Sequence, residues 1–452
     1  VQDVPFSIST LSGERIGTFN AAGDDIRFLR GRLPSLQVES SFGRTFPRFY
    51  IRGFGNPDFD LNASQPVLLV YDDVVQENPV LKGFPLFDME RVELLRGPQG
   101  TLFGRNTPAG IVKFDSRRPT RENEGYLRLG YGEFSTFNAE GAISGPLSQD
   151  WSARVSAIYQ HRDDWVDNRF TGEGDALGGY DDWAVRAQFL YEGDRFTGLF
   201  NLHARDLEGT ARLFRANAIV PGTNDLVADF DRESRAIDGQ NGQDLESQGG
   251  FARLSWDLGQ TTLTSITAYE TLEFFGVGDI DGGFGAAFAP PSGPGFIPFP
   301  AETADAIPDH EQITQEFRLE SNEWGAFDWQ LGFFYFLEDV TIETINFDTL
   351  AGSVRNGFVE QRQETDALAV FGAFDYEFSE NLVLQGGLRY TRDEKDFSAI
   401  RTLSPIGAGP IGPITANPDD SEWSGDLSLT YYLSPDVSIY GRVARGFRAP
   451  TI

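Results

Sequence analysis

From residue 125 to the last strand segment the chain alternates with a period of two. In 151–160, Trp151, Ala153, Val155, Ala157 and Tyr159 fall on one face of an extended strand, and Ser152, Arg154, Ser156 and Gln160 fall on the other, with Ile158 an exception. In 423–431 the apolar face is Trp423, Gly425, Leu427, Leu429 and Tyr431, opposed by Ser424, Asp426, Ser428 and Thr430. Leu382, Leu384, Leu388 and Tyr390 are set against Gln385 and Arg389 in the same way. Thirteen such segments are predicted: 125–133, 136–145, 150–161, 182–192, 195–206, 248–257, 261–274, 311–321, 327–341, 364–378, 381–396, 422–433 and 436–447. Most reach the roughly 9–11 residues that a tilted strand needs to cross a bilayer. Aromatic residues recur near segment ends, as in Trp151/Tyr159, Trp183/Tyr191 and Trp423/Tyr431, where an interfacial girdle would lie.

A soluble β-sandwich shares the period, so the connections decide between the two. They are short near 146–149, 193–194, 258–260, 322–326, 379–380 and 434–435, and long near 162–181, 207–247, 275–310, 342–363 and 397–421. This order places the long connections on one side and the short turns on the other, as in outer-membrane barrels. The prediction is an all-β membrane fold, an antiparallel transmembrane barrel. Its thirteen strands are an odd number, whereas bacterial single-chain barrels have even counts, so the sequence is expected to be a fragment with an incomplete barrel.

Residues 1–120 follow another pattern. Short strands are predicted at 4–8, 49–54, 67–71, 92–95 and 111–114, and 24–33 has helical spacing at Ile26, Leu29 and Leu33, closed by Pro34. This is a small α+β domain. Its place ahead of a long antiparallel run suggests a plug, 1–120, in the lumen of a barrel, 121–452.

Composition narrows the function. No stretch approaches the roughly 18 apolar residues of a membrane helix, so a spanning chain must be a barrel. The absence of cysteine removes disulfides, zinc–thiolate sites and thiol nucleophiles. A net charge of −31 argues against a nucleic-acid partner and fits acidic loops facing the medium. His161, His203 and His310 lack metal-ligand spacing, and neighbouring acids such as Asp163-Asp164 point to opposite faces of a strand. Gly97–Arg105 lacks the Gly-Lys-[Ser/Thr] of a phosphate loop, and no G-x-S-x-G is present. No catalytic residue, metal or cofactor is expected.

The opening Val1-Gln2-Asp3-Val4-Pro5, Leu33-Pro34-Ser35-Leu36-Gln37-Val38, Ile51-Arg52-Gly53-Phe54-Gly55 and above all the glycine-punctuated run from Arg91 to Thr120 resemble the plug of TonB-dependent outer-membrane receptors. Gln315-Glu316-Phe317-Arg318 and Gly446-Phe447-Arg448-Ala449-Pro450 resemble barrel-strand signatures of that family. The resemblance implies a plug inside a barrel of about 22 strands, of which this chain holds about half. It implies a monomer embedded in outer-membrane lipid, binding a small-molecule or metal-chelate ligand. The ligand would be taken up actively, with TonB engaging a segment that precedes Val1. An iron–siderophore complex is the expected solute, with cobalamin, a carbohydrate or an aromatic compound as alternatives. A passive porin-like channel and a soluble β-rich binding protein are the competing readings.

By the same resemblance, Arg52 and Arg96 are the arginines that tie the plug to wall glutamates, whose positions stay unassigned; pairing with Glu90 or Glu93 inside the plug is the alternative. The plug loops 42–47, 55–66 and 74–85 would face outward and offer Arg44, Asn56, Asp58, Asn62, Gln76 and Asn78 as ligand contacts. Phe284, Phe288, Phe296 and Phe299 could grip an apolar ligand from an outer loop or pack on their neighbours, and 207–247 mixes Arg212, Arg215, Arg232 and Arg235 with many acids.

Overall fold

The computed structural model describes residues 6–20, 23–284, 301–322, 325–434 and 437–452. Thirteen antiparallel strands form one curved wall, each paired with its sequence neighbour from Glu124–Tyr131 to Val437–Arg445, and each predicted segment overlaps one of them. Among the described residues the two edge strands do not pair with one another, so the wall is open there.

The burial pattern reverses that of a soluble sheet. On Trp151–Arg162 the residues at 1–3% exposure are Ser152, Arg154, Ser156, Ile158 and Gln160, whereas Trp151, Val155 and Tyr159 are 37–43% exposed. Polar side chains are covered and apolar ones are bare, as expected when the outward face meets hydrocarbon and the inward face meets another part of the chain. Ile158, the exception to the alternation, packs against the plug residue Phe87. A break in the polar face thus marks where the plug presents an apolar side chain.

The turns between strands at 147–150, 193–195, 258–260 and 380–381 are all short and lie on one side. The other side differs from expectation. Strands continue past the alternating segments, so that Phe327–Asp348 and Val354–Ser379 meet through the turn 349–353, where a long loop was predicted at 342–363. Beyond the bilayer a strand needs no apolar face, and the period-two signal fades although the ladder continues.

The described residues up to 120 fold against the inner face. A five-stranded sheet runs in the order Ile8–Ser12, Met89–Arg96, Gly110–Ser116, Val67–Tyr71 and Val74–Gln76, with Val67, Val92, Leu94, Val112 and Phe114 fully buried in its core. The predicted helix at 24–33 is only the 3-10 turn Ile26–Leu29, capped by the Asp25 carboxylate accepting from the Arg27 amide. A helix at Gly13–Asn20 was not anticipated. Gly104, at φ +80, sits where an added Cβ would lie 2.7 Å from the Arg389 guanidinium, so the glycine lets the plug backbone approach the wall.

Val155 lies midway between Trp151 and Tyr159 on the outward face. Val155→Arg is expected to cost about 2–4 kcal/mol of barrel stability, while Leu147→Arg, in a turn at the membrane edge, should cost about 1 kcal/mol or less. Denaturant titration in lipid, read by heat-modifiable gel migration, checks the difference.

Candidate functional site

Three neighbouring wall strands grip one plug segment, 83–88. Arg205 on Phe196–Gly209 donates to the Gly83 carbonyl at 2.9 Å. Arg186 on Tyr180–Glu192 donates to the carbonyls of Phe87 and Asp88 at 2.8 and 3.3 Å, and to the Tyr71 hydroxyl. Arg154 on Trp151–Arg162 makes a bidentate pair with the Asp88 carboxylate, both contacts at 2.6 Å, with side-chain exposures of 2% and 0%. Period-two geometry points all three guanidinium groups inward, and in the lumen the plug supplies the acceptors that water would otherwise provide.

Two further pairs run the other way, from plug arginine to wall carboxylate. Arg44 donates to Asp182 at 3.2 Å, to the Gly23 carbonyl at 3.1 Å and to Gln160, and stacks 4.0 Å over the Tyr180 ring. Asp182 also accepts two contacts of 3.0 Å from Arg205. Arg105 pairs with Asp393 and lies 4.1 Å over Phe336.

The expected lock at Arg52 and Arg96 is not where the described residues place the plug–wall ion pairs. Arg96 is buried but donates within the plug, to the Pro34 carbonyl and to the hydroxyls of Ser7, Ser9 and Ser35. Arg52 is exposed at φ +54, and among the described residues neither arginine has a carboxylate partner. The alternative partners of Arg96, Glu90 and Glu93, pair with Arg91 instead.

The candidate ligand contacts of the plug loops fall in several environments. Asn78 is 2% exposed, and its side chain caps the Val80 amide. Gln76 is buried and reaches Glu270 at 3.4 Å, Asn56 is buried and accepts from the Asp58 amide, and Arg44 is committed to Asp182. Asn56 and Asn78 thus bond within the plug, Gln76 and Arg44 reach the wall, and Arg44 also lines the cavity described below. Asp58 and Asn62 are half-buried, Asn62 reaching Gln363 at 3.4 Å. Phe284 is exposed beside Phe170, with ring centroids 5.2 Å apart; Phe288, Phe296 and Phe299 lie outside the described residues.

Between plug residues 23–44 and the connections 163–179 and 210–241, on the side away from the short turns, lies a cavity of about 690 Å³. Arg27, Arg30, Arg44, Arg162, Arg212 and Arg235 line it against three carboxylates, Asp24, Asp25 and Glu39. Arg27 and Arg44 are already paired with Asp25 and Asp182. Arg30, Arg162, Arg212 and Arg235 have no carboxylate partner among the described residues, so the cavity carries an excess of positive charge. The arginines of 207–247 were visible in the sequence; their convergence with the plug was not.

A family model described as the TonB-dependent receptor plug domain matches residues 1–111, and one described as the TonB dependent receptor-like β-barrel matches 288–452. Together they cover more than half of the chain. The chain belongs to the TonB-dependent receptor family. This is a family of outer-membrane receptors, not of enzymes. The pesticin receptor of Yersinia enterocolitica is 31% identical over 148 residues, 32% of this chain and 21% of that protein. The ferrioxamine receptor of Yersinia enterocolitica is 31% identical over 119 residues, 26% of this chain and 16% of its own length. In fold, the chain resembles the ferric yersiniabactin uptake receptor FyuA from Yersinia pestis, with a TM-score of 0.80 at 19% identity over 99% of this chain and 66% of that one. The matched stretch thus spans about a fifth of the curated relative and just under two thirds of the solved one.

The ionic grip makes two predictions for this TonB-dependent receptor. Asp88→Asn should weaken plug docking by about 3 kcal/mol, the lower end for breaking a buried pair because Glu124 stays on Arg154, and adding Arg154→Met should cost less than the sum of the single changes. Protease release of the plug across a double-mutant cycle measures this. Lys82 is buried in the plug, donating to Gln65 at 3.4 Å, and burial lowers its pKa to about 8. The released plug binds this proton more tightly than the docked one, so docking should strengthen as pH rises from about 8 toward the ordinary lysine value near 10.4. Lys82→Met should remove that part of the pH dependence in the same assay.

Proposed function

We propose that this chain is the plug and part of the wall of a bacterial outer-membrane receptor that spans the membrane many times and takes up an anionic iron–siderophore complex, driven by TonB. The observation that carries the reading is the cavity between plug and outer connections, where six arginines face three carboxylates. A ferric chelate with net negative charge gains charge-assisted hydrogen bonds there, while a neutral sugar would leave the guanidinium groups of Arg30, Arg162, Arg212 and Arg235 without a counter-charge. Similarity to receptors named for ferrioxamine and ferripyoverdine supports an iron–siderophore solute.

In this reading the ligand settles on the arginine-lined surface, TonB acts on a segment near the plug N-terminus, and loosening of the 83–88 grip opens a path past the wall. The lumen-facing pairs are then a lock that must be strong enough to seal and few enough to release.

Arg212→Gln or Arg235→Gln in the full-length receptor should each weaken binding of an anionic ferric siderophore about tenfold, the loss of one charge-assisted contact near 1.5 kcal/mol, without altering barrel stability. Uptake of radio-iron and growth of a deletion strain under iron limitation are the accompanying measurements. Unchanged growth and uptake in the deletion strain would overturn the iron reading.

A further inference from the structure

On the long-connection side, Asp238 in the 210–241 connection meets Asp279, at the outer end of Thr261–Asp279, and Asp281 just beyond it. One carboxylate oxygen from each lies within 4.8 Å of the others. Part of this cluster is explained by the chain itself. Asp279 Oδ2 accepts from the amides of Asp238 and Gly239 at 3.2 and 3.4 Å, and Asp281 accepts from the amides of Gly283 and Ala301 at 2.9 and 3.0 Å.

The remainder is not. Asp279 is 1% exposed, and its Oδ1 has no hydrogen-bond partner; Asp238 Oδ1 is likewise buried and unpartnered. The two oxygens of a carboxylate share one carbon, so the free Oδ1 of Asp279 lies in the same cluster. Among the described residues no arginine, lysine or histidine pairs with any of the three acids. Glu302, fully buried next in the chain after Ala301, is occupied by Gln240, Thr349 and Ser353 and supplies no counter-charge. A buried carboxylate oxygen with neither donor nor cation is costly.

We propose that Asp238, Asp279 and Asp281 bind a divalent cation, calcium, that fastens the 210–241 connection to the outer end of the Thr261–Asp279 strand. The donors are all oxygen, which suits a hard cation rather than zinc or copper. The spacing fits oxygens that share one ion at about 2.3–2.6 Å, and backbone carbonyls and water can complete the six to eight ligands calcium takes. Magnesium demands a stricter octahedron than two loop acids and a strand end provide. Burial raises the Asp238 pKa, with Asp281 and Glu302 adding to it, so a proton competes with the ion.

The site stands apart from the cavity but reaches it through the chain: Arg235, which lines the cavity, is three residues from Asp238, and the Phe284 amide donates to the Ala236 carbonyl at 2.7 Å. A bound ion therefore orders one wall of the cavity, a step that rests on the function proposed above, whereas the ion site itself does not.

The test is calorimetric titration of calcium chloride into the full-length, chelator-stripped receptor in detergent, with magnesium chloride as a second arm. One equivalent of calcium should bind, more tightly than magnesium, and protect the 210–241 connection from protease. Asp279→Asn and the loop variant Asp238→Asn, each checked for heat-modifiable migration, should lose the binding isotherm and the protection. No calcium binding up to about 10 mM, above the weakest range of extracellular calcium modules, would overturn the site. So would equal binding by both variants, or a parent protein whose stability does not respond to calcium while Asp279→Asn is the more stable of the two, which is the signature of a cluster held by a shared proton. A failed siderophore-binding assay with intact calcium binding would count against the proposed function and not against the ion.

Discussion

A guanidinium group cannot lie in a dry lumen without acceptors, and this constraint organises the molecule. Period-two geometry sends Arg154, Arg186 and Arg205 inward from three adjacent strands, and hydrocarbon on the outward face leaves them nowhere else to go. The plug answers with the carbonyls of Gly83, Phe87 and Asp88 and the carboxylate of Asp88. Each partner makes the other tolerable: without the plug the wall is charged and wet, and without the wall the polar segments of the plug lack donors. The apolar contact of Ile158 with Phe87 fits into the same interface and fixes which part of the plug meets which strand.

The wall was legible because a bilayer imposes a simple rule on it. Alternation in 151–160 and 423–431, together with the separation of short from long connections, identified the strands and their sidedness. The rule lapses above the membrane, which is why the strand ends near 342–363 were read as loop. The plug obeys no such rule. Its strands at 67–71 and 111–114 stood out as buried apolar runs, but 24–33 had helical spacing and folded as a single 3-10 turn, because its apolar residues Ile26 and Leu29 join a core defined by distant strands.

The site was legible only in its ingredients. Sequence could show that arginine crowds 207–247 and that Arg44 lies in an outward plug loop; it could not show that Arg44 would be spent on Asp182, more than a hundred residues away, leaving other arginines free. Arg154 carried a usable signal, a charged residue on the face opposite Trp151, Val155 and Tyr159. Its partner Asp88 carried none, since an aspartate between Phe87 and Met89 reads as an ordinary turn residue until the wall is in place.

The strand Met89–Arg96 begins where the arginine grip ends, and its edge partner is Ile8–Ser12, the first strand among the described residues. Ile8 pairs with Leu95 and Ser12 with Arg91, so tension applied at the amino end would load the far end of Met89–Arg96 first and reach Asp88 only after passing the five cross-strand pairs. Such a load meets the three arginines in sequence along one backbone rather than all at once, so the fastening can be peeled by a modest force although it resists thermal agitation as a unit.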